Sequence, residues 1–95
     1  MSKGNTVINI LKIHLLILIV FYFIYMVGIK TDPKSWSGLD KMHGNDWLHA
    51  FYFTVTTHTT VGFGDVYPKA ILWRMVISLH IICVYILTII GIKYL

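Results

Sequence analysis

The stretch HTTVGFGD, residues 58–65, differs in composition from the apolar sequence on either side of it. Its two glycines, Gly62 and Gly64, adopt left-handed backbone angles without penalty, whereas Val61 and Phe63 prefer right-handed or extended ones. A backbone that alternates in this way directs successive carbonyl groups to the same side. The stretch therefore predicts a row of backbone oxygens along one side of the chain.

The composition of the whole chain indicates a membrane protein. Hydrophobic residues make up 57% of the 95 residues, charged residues only 13%, and there is no glutamate. A soluble domain of this length would have to expose a large apolar surface. The net charge of +4 comes from scattered lysines and one arginine, which favour anionic lipid headgroups as partners and exclude a nucleic-acid interface. Cys83 is the single cysteine, so an internal disulfide is excluded.

The first apolar run, residues 8–29, is long enough to cross about 30 Å of hydrocarbon as a helix. Lys12 and His14 interrupt only its first third, and a lysine near one end of a span can extend to the interface. The alternative is a signal peptide with Lys3 as its positive region, but no small-residue cleavage site follows the run. We expect an N-terminal segment at residues 1–7 and an outer transmembrane helix at residues 8–29.

The second apolar run predicts an inner transmembrane helix at residues 69–94, with Pro68 at its first turn, where a helix tolerates proline best. Aromatic and basic residues that suit the membrane interfaces occur at both of its ends: Trp73, Arg74, Lys93 and Tyr94. Residues 30–45, with Pro33 and Gly38 among polar residues, have the composition of an exposed turret loop. Trp36 in this loop would suit the headgroup region.

The segment before the glycines has conflicting signals. Aromatic and β-branched residues alternate from Phe51 to Thr57, which favours a strand. An isolated strand has no partner for its amides in lipid, so we predict a short re-entrant helix at residues 46–58 that starts at the capping residues Asn45 or Asp46.

The backbone after this helix must return through the membrane without helical hydrogen bonds. Such backbone is tolerated where protein buries it or where it lines a watery cavity. Several carbonyl oxygens and the hydroxyl of Thr60, repeated around an axis, would hold a cation stripped of water, and helix C-termini would add partial negative charge. Two helices cannot enclose such a pathway, so we expect symmetric closure of identical subunits.

The sequence Thr-Val-Gly-Phe-Gly-Asp at residues 60–65 resembles the selectivity filter of potassium channels, which is the general example of carbonyl selectivity with Tyr in the place of Phe63. THTTVGFGD, the Pro68-Lys69 pair, Arg74, His80 and the short N-terminus together resemble the miniature potassium channels encoded by large viruses of algae.

This resemblance implies an all-α membrane protein with two transmembrane helices, a pore helix and a filter loop at residues 59–65, assembled as a four-fold symmetric homotetramer. It implies K⁺ at Thr60, Val61, Gly62 and Phe63, with Gly64 completing the ion-coordinating filter and Asp65 at the outer mouth. By the same resemblance the channel would reside in a virion internal membrane and a host cell membrane. Asp65 as a simple turn residue is the alternative.

Two positions depart from the pattern of these relatives. Phe63 lacks the hydroxyl of the commoner tyrosine, and Thr56 stands where some potassium channels have a carboxylate, so Asp65 is expected to lose a possible partner. We therefore expect the packing of aromatic side chains to hold the filter more than a polar network does. The candidate supporting residues are Trp47, Tyr52, Phe53, Thr56, His58 and Thr59.

The five histidines, His14, His43, His49, His58 and His80, match no zinc-binding spacing. We expect His58, in the last turn of the pore helix, to pack or hydrogen-bond behind the filter. An ionisable group in mid-span is a functional candidate, and for His80 we favour a neutral imidazole bonded to a neighbouring helix.

Ser78, Tyr85 and Thr88 share one stripe of the inner helix, which is the candidate lining of an inner cavity, with His80 roughly opposite. The alternative is that Ser78 and Thr88 bond back to carbonyls of their own helix. The positive-inside rule favours a cytoplasmic loop because most lysines flank it, whereas the channel resemblance places the loop outside.

The residues predict passive conduction of a cation, which the resemblance implies is K⁺, with no reaction, catalytic residue or cofactor. One alternative is a structural membrane hairpin in which the Gly-Phe-Gly turn is incidental. A second is a cation pore of the same architecture without selectivity.

Overall fold

The computed structural model describes residues 3–41 and 45–94 of the chain. Three helices dominate it: α1 (Lys3–Thr31), α2 (Asp46–His58) and α3 (Ile71–Tyr94). Between α1 and α2 lie two 3₁₀ turns, Pro33–Ser35 and Leu39–Lys41, and a short strand β1 (Trp36–Ser37); a second strand β2 (Tyr67–Pro68) precedes α3. The first two residues of the predicted N-terminal segment and positions 42–44 of the turret, His43 among them, lie outside the described residues.

The two long helices have the length and composition of membrane spans. The apolar segments Asn5–Thr31 and Ile71–Lys93 can each cross a bilayer, and the molecule is 47 Å long, close to the 40–45 Å that a bilayer with its headgroups measures. Most of their side chains lie on the outside of the single subunit, where lipid or other subunits would cover them. The chain is therefore a mostly helical membrane protein.

The inner helix begins later than its sequence suggests. It starts at Ile71, whereas Pro68 lies in β2 and pairs with Trp36 of β1. The expectation that Pro68 occupies the first turn of the helix is therefore wrong. An antiparallel ribbon holds this segment extended, because Lys69 donates its N–H to the carbonyl of Ser35 at 2.5 Å.

The re-entrant segment is helical although its composition favours a strand. α2 spans Asp46–His58, and the buried side chains Ala50, Phe53, Thr54 and Thr57 recur at helical spacing on one face. Threonine hydroxyls also bond to the helix, as Thr54 Oγ1 donates to the carbonyl of Ala50 at 2.5 Å. Burial of one face and internal hydrogen bonds thus override the intrinsic preference for extended backbone.

The core of the subunit lies where α1, α2 and the ribbon meet. Tyr25 is fully buried at its centre, and its ring centroid lies 5.0 Å from Phe53 and 6.1 Å from Trp36, both edge to face. Trp36 is buried, so its expected place among the lipid headgroups is wrong. The indole anchors the turret to the helices instead.

Close approach of backbone ties the turret to the end of the filter segment. Gly38 has φ +93°, and a Cβ at this position would overlap the carbonyl oxygen of Asp65. Only glycine fits both requirements. The ribbon and Gly38 therefore position the residues that follow the glycine-rich stretch.

Candidate functional site

The segment after α2 has left-handed backbone angles at every second residue. Thr60 has φ +60°, Gly62 φ +54° and Gly64 φ +81°, while Val61 and Phe63 between them do not adopt positive φ. The angles of the two glycines agree with the sequence analysis. The angle of Thr60 does not follow from the sequence, because a threonine avoids this region. This alternation is the backbone pattern expected for a row of oxygen ligands.

Hydrogen bonds to the end of α2 hold this segment. The N–H of Gly62 donates to the carbonyl of Thr56 at 3.1 Å, and the N–H of Thr60 donates to the carbonyl of Thr57 at 3.0 Å. The hydroxyl of Thr60 donates to the carbonyl of Thr59 at 2.6 Å, which leaves the lone pairs of its oxygen for a cation. The start of the segment is thus fixed at the partly negative C-terminus of a helix.

Asp65 has a direct partner on the pore helix. The hydroxyl of Tyr52 donates to its carboxylate Oδ2 at 2.8 Å, and the N–H of Val66 donates to Oδ1 at 3.1 Å. Asp65 gains no partner from Thr56, as expected, but its bond to Tyr52 was not predicted; the segment folds back beside α2 and brings Asp65 level with Tyr52. This hydrogen bond raises the pKa of Tyr52, since ionising the phenol would remove the donor and place two negative charges together.

Tyr52 also supports the segment by stacking. Its ring lies nearly parallel to that of Phe63, with 6.2 Å between centroids and 10° between the planes. Tyr52 therefore packs against Phe63, as the sequence predicts, and also donates a hydrogen bond to Asp65, which the sequence does not predict.

The other candidate supporting residues differ in their surroundings. Phe53 is buried in the core, and the hydroxyl of Thr56 donates to the carbonyl of Phe53 at 3.1 Å instead of reaching Asp65. The hydroxyl of Thr59 donates to the carbonyl of Val55 at 2.8 Å. The side chain of Trp47 is exposed in the single subunit, and its carbonyl lies 3.4 Å from the hydroxyl of Tyr22.

The candidate cavity residues lie beside the inner end of the segment. Ser78 lines a groove of about 570 Å³ together with Thr60 and Gly62, and Tyr85 and Thr88 line a second cavity of about 520 Å³ that also includes Thr60. Two of the hydroxyls also bond to their own helix, as the alternative interpretation states. Ser78 donates to the carbonyl of Arg74 at 2.9 Å, and Thr88 donates to that of Val84 at 2.8 Å.

Three histidines form a hydrogen-bonded row across the helices. His58 bonds to His14 of α1 at 3.2 Å and to His80 of α3 at 3.1 Å, and His80 bonds to the hydroxyl of Tyr25 at 2.9 Å. His80 is thus joined to neighbouring helices, as expected, and its ring also stacks on Phe21 at 4.1 Å. The row of three was not predicted, although His14, Phe21 and Tyr25 share one face of α1 by their spacing. The described residues contain no group of three or more histidine, cysteine, aspartate or glutamate side chains arranged to hold a metal ion.

Sequence comparisons agree with this geometry. The sequence pattern of the family described as Ion channel matches residues 10–95. The chain is 36% identical over 84 residues to the potassium channel protein Kcv of Paramecium bursaria Chlorella virus 1, an alignment that covers 88% of this chain and 89% of that protein. It is 27% identical over 82 residues to a hyperpolarization-activated voltage-gated potassium channel of Methanocaldococcus jannaschii, covering 86% of this chain but only 35% of the larger protein. No solved structure matches significantly.

Proposed function

The chain belongs to the ion channel family, and from this membership we propose that it is a subunit of a potassium-selective channel formed by four copies of itself. Conduction is passive, along the electrochemical gradient. The observation that carries this proposal is the alternation of left-handed angles at Thr60, Gly62 and Gly64, in a segment that follows a re-entrant helix between two membrane spans.

In this proposal K⁺ exchanges its water for oxygens of the filter at residues 59–65. Carbonyl groups and the hydroxyl of Thr60 supply hard oxygen ligands, which suit an ion of low charge density. The ligands are those at Thr60, Val61, Gly62 and Phe63, with Gly64 closing the filter. Asp65 would raise the local concentration of cations at the outer mouth.

The need for several subunits is supported by what one subunit leaves uncovered. Val61 is 56% exposed and Phe63 68% exposed, although both belong to apolar residue types. Four-fold closure would surround one axis with four filter segments and cover these side chains. Ser78, Tyr85 and Thr88 would then line the water-filled cavity below the filter.

The relative from a Chlorella virus supports a viral origin of this chain, and we propose the virion internal membrane and the host cell membrane as its locations. The turret would face the outside, and the N-terminus of α1 and the C-terminus of α3 would face the inside.

The experiment is reconstitution of the purified protein in planar bilayers under opposed K⁺ and Na⁺ gradients. The proposal predicts a reversal potential close to that of K⁺. Gly62→Ala should abolish selective current: no atom would contact the added Cβ, but φ +54° disfavours any residue with a Cβ by about 1–2 kcal/mol in each subunit. A reversal potential midway between the two ions would identify a non-selective pore, and absence of current would favour a structural hairpin.

A further inference from the structure

The row of histidines has one buried end and one end that opens on the cavity below the filter. His80 and Tyr25 are fully buried, so neither exchanges protons directly with water. His14 and His58 are both half-buried and line the cavity of about 520 Å³ that also includes Thr60, but both ring nitrogens of His58 already bond within the row. We propose that His14 is a proton-binding site through which acidity on the cavity side reduces ion conduction.

The hydrogen-bond pattern limits how many protons the row can hold. His14 Nδ1 faces His58 Nε2, His58 Nδ1 faces His80 Nε2, and His80 Nδ1 faces the hydroxyl of Tyr25. A neutral imidazole has one N–H and one lone pair, so each contact in the neutral row holds a single hydrogen. All bonds of the row therefore point either from His14 towards Tyr25 or in the opposite direction.

A proton added at Nε2 of His14 fits the first of these directions. The Nδ1–H of His14 then donates to His58, His58 donates to His80, and His80 donates to Tyr25. No contact breaks, so the row can hold the added positive charge on His14 at the cavity. A second proton on the row would bring two N–H groups face to face, so the geometry allows one proton for each subunit.

Among the described residues, the aspartates lie far from His14. The titratable groups that face it are His58 from α2 and Tyr85 from α3, which lines the same cavity. Lys12 lies two residues before it on α1, and Lys93 ends the span of α3. All four aspartates lie between positions 32 and 65, and Asp46 starts α2 about 18 Å along the helix from His58.

The effect on conduction rests on the proposed function, because it requires cations to pass the cavity. With four subunits, acid would place four positive charges around the inner entrance of the filter. Like charges in a site of reduced dielectric constant repel strongly, so the occupancy of the cavity by K⁺ falls.

The first experiment records K⁺ current while only the cavity-side pH changes. For the native protein, current should fall at least about threefold when the cavity-side pH is lowered from about 7.5 to about 5.5. In His14→Gln, which keeps a hydrogen-bonding side chain that does not titrate, the ratio of the two currents should approach one. The matched control is His49→Gln, a histidine of α2 outside the row, which should keep the native ratio. Equal pH responses of the native protein and His14→Gln would overturn the proposal.

The second experiment does not depend on conduction. Solid-state NMR of ¹⁵N-histidine-labelled native protein in bilayers should show coupling between the ring nitrogens of His14 and His58. It should also show one doubly protonated ring for each subunit at low pH, at His14. A neutral His14 at about pH 5, or protonation at His58 or His80 instead, would overturn the proposal. If His14 were protonated but the current were non-selective, the proton site would stand and the proposed potassium selectivity would be wrong.

Discussion

Thr60 is the residue whose conformation departs most from its intrinsic preference. A residue with a Cβ in the left-handed region loses about 1–2 kcal/mol relative to its usual conformations. The N–H of Thr60 bonds to the carbonyl of Thr57 in the last turn of α2, and its hydroxyl bonds to the carbonyl of Thr59; these bonds hold the strained angle. Strain of this kind is typical of binding sites, where the surrounding structure fixes one conformation. Thr60 thus begins the alternation that the glycines continue.

Tyr52 gives a prediction at the same scale. Tyr52→Phe keeps the ring that stacks on Phe63 but removes the hydrogen bond to Asp65, so the filter should lose its conducting conformation more readily. We expect open times severalfold shorter in single-channel recordings, with unchanged subunit assembly. Leu79→Ala, an exposed position of α3 away from the filter, is the control. Unchanged open times in Tyr52→Phe would mean that packing alone holds the filter.

The same bond has a defined dependence on pH. The pKa of Tyr52 is raised above its ordinary value of 10.0. Its hydrogen bond to Asp65 is therefore fully formed below about pH 10 and is lost as the pH rises through the raised value. Open times of the native protein should therefore stay constant across neutral and mildly alkaline external pH and shorten only above about pH 10. Shortening that already occurs near pH 8 would assign the effect to another group.

At the scale of elements, the turret ribbon packs directly against the backbone at the end of the filter, so a change in one should displace the other. Gly38→Ala would force its Cβ against the backbone of Asp65 at a φ of +93°, so both the ribbon and the outer mouth must shift. We expect a loss of more than about 2 kcal/mol in stability for each subunit, seen as a lower Tm of the assembled protein together with lower conductance.

Gly91→Ala is the matched control for this change. Its Cβ would lie 3.3 Å from Cδ1 of Ile10, the end of a flexible side chain, and alanine favours a helix over glycine by about 0.5–1 kcal/mol. The Tm of this variant should stay close to the native value. If the Tm of Gly38→Ala were as high as that of Gly91→Ala, the turret and the filter would not depend on each other for stability.

The sequence predicts those elements that depend on the membrane environment and on the local pattern of residues. The two spans follow from apolar length, and α2 follows from the rule that backbone in lipid must satisfy its own hydrogen bonds, against the strand preference of Phe51 to Thr57. The displaced start of α3 does not follow, because the pairing of Pro68 with Trp36 joins residues far apart in sequence. The contacts of Tyr52 with Asp65 and of His14 with His58 were missed for the same reason.

At the scale of the whole molecule, the single subunit is incomplete as a soluble or membrane-embedded body. Its filter segment is uncovered on one side, and the apolar faces of α1 and α3 exceed what a two-helix unit can bury. Closure around an axis resolves both problems at once. The number of subunits is then the property to measure.

The number of subunits in one pore can be counted by mixing native and Gly62→Ala subunits in equal amounts. If one defective filter segment disables a pore, only about one pore in sixteen assembles from four native subunits, so current should fall to about 6% of the native level. If the pore were a dimer, about 25% of the native current would remain. Native mass spectrometry of the same mixture checks that both kinds of subunit enter one assembly with four chains.

Three contacts that hold each filter segment lie within one chain. Tyr52 holds Asp65, the ribbon holds the return to α3, and the end of α2 holds Thr60. Part of the filter segment can therefore be ordered before the subunits meet, which lowers the amount of ordering required at assembly. Chains that differ on their lipid-facing sides should then mix freely in one pore, so that a cell that makes two such sequences at once would form hybrid assemblies.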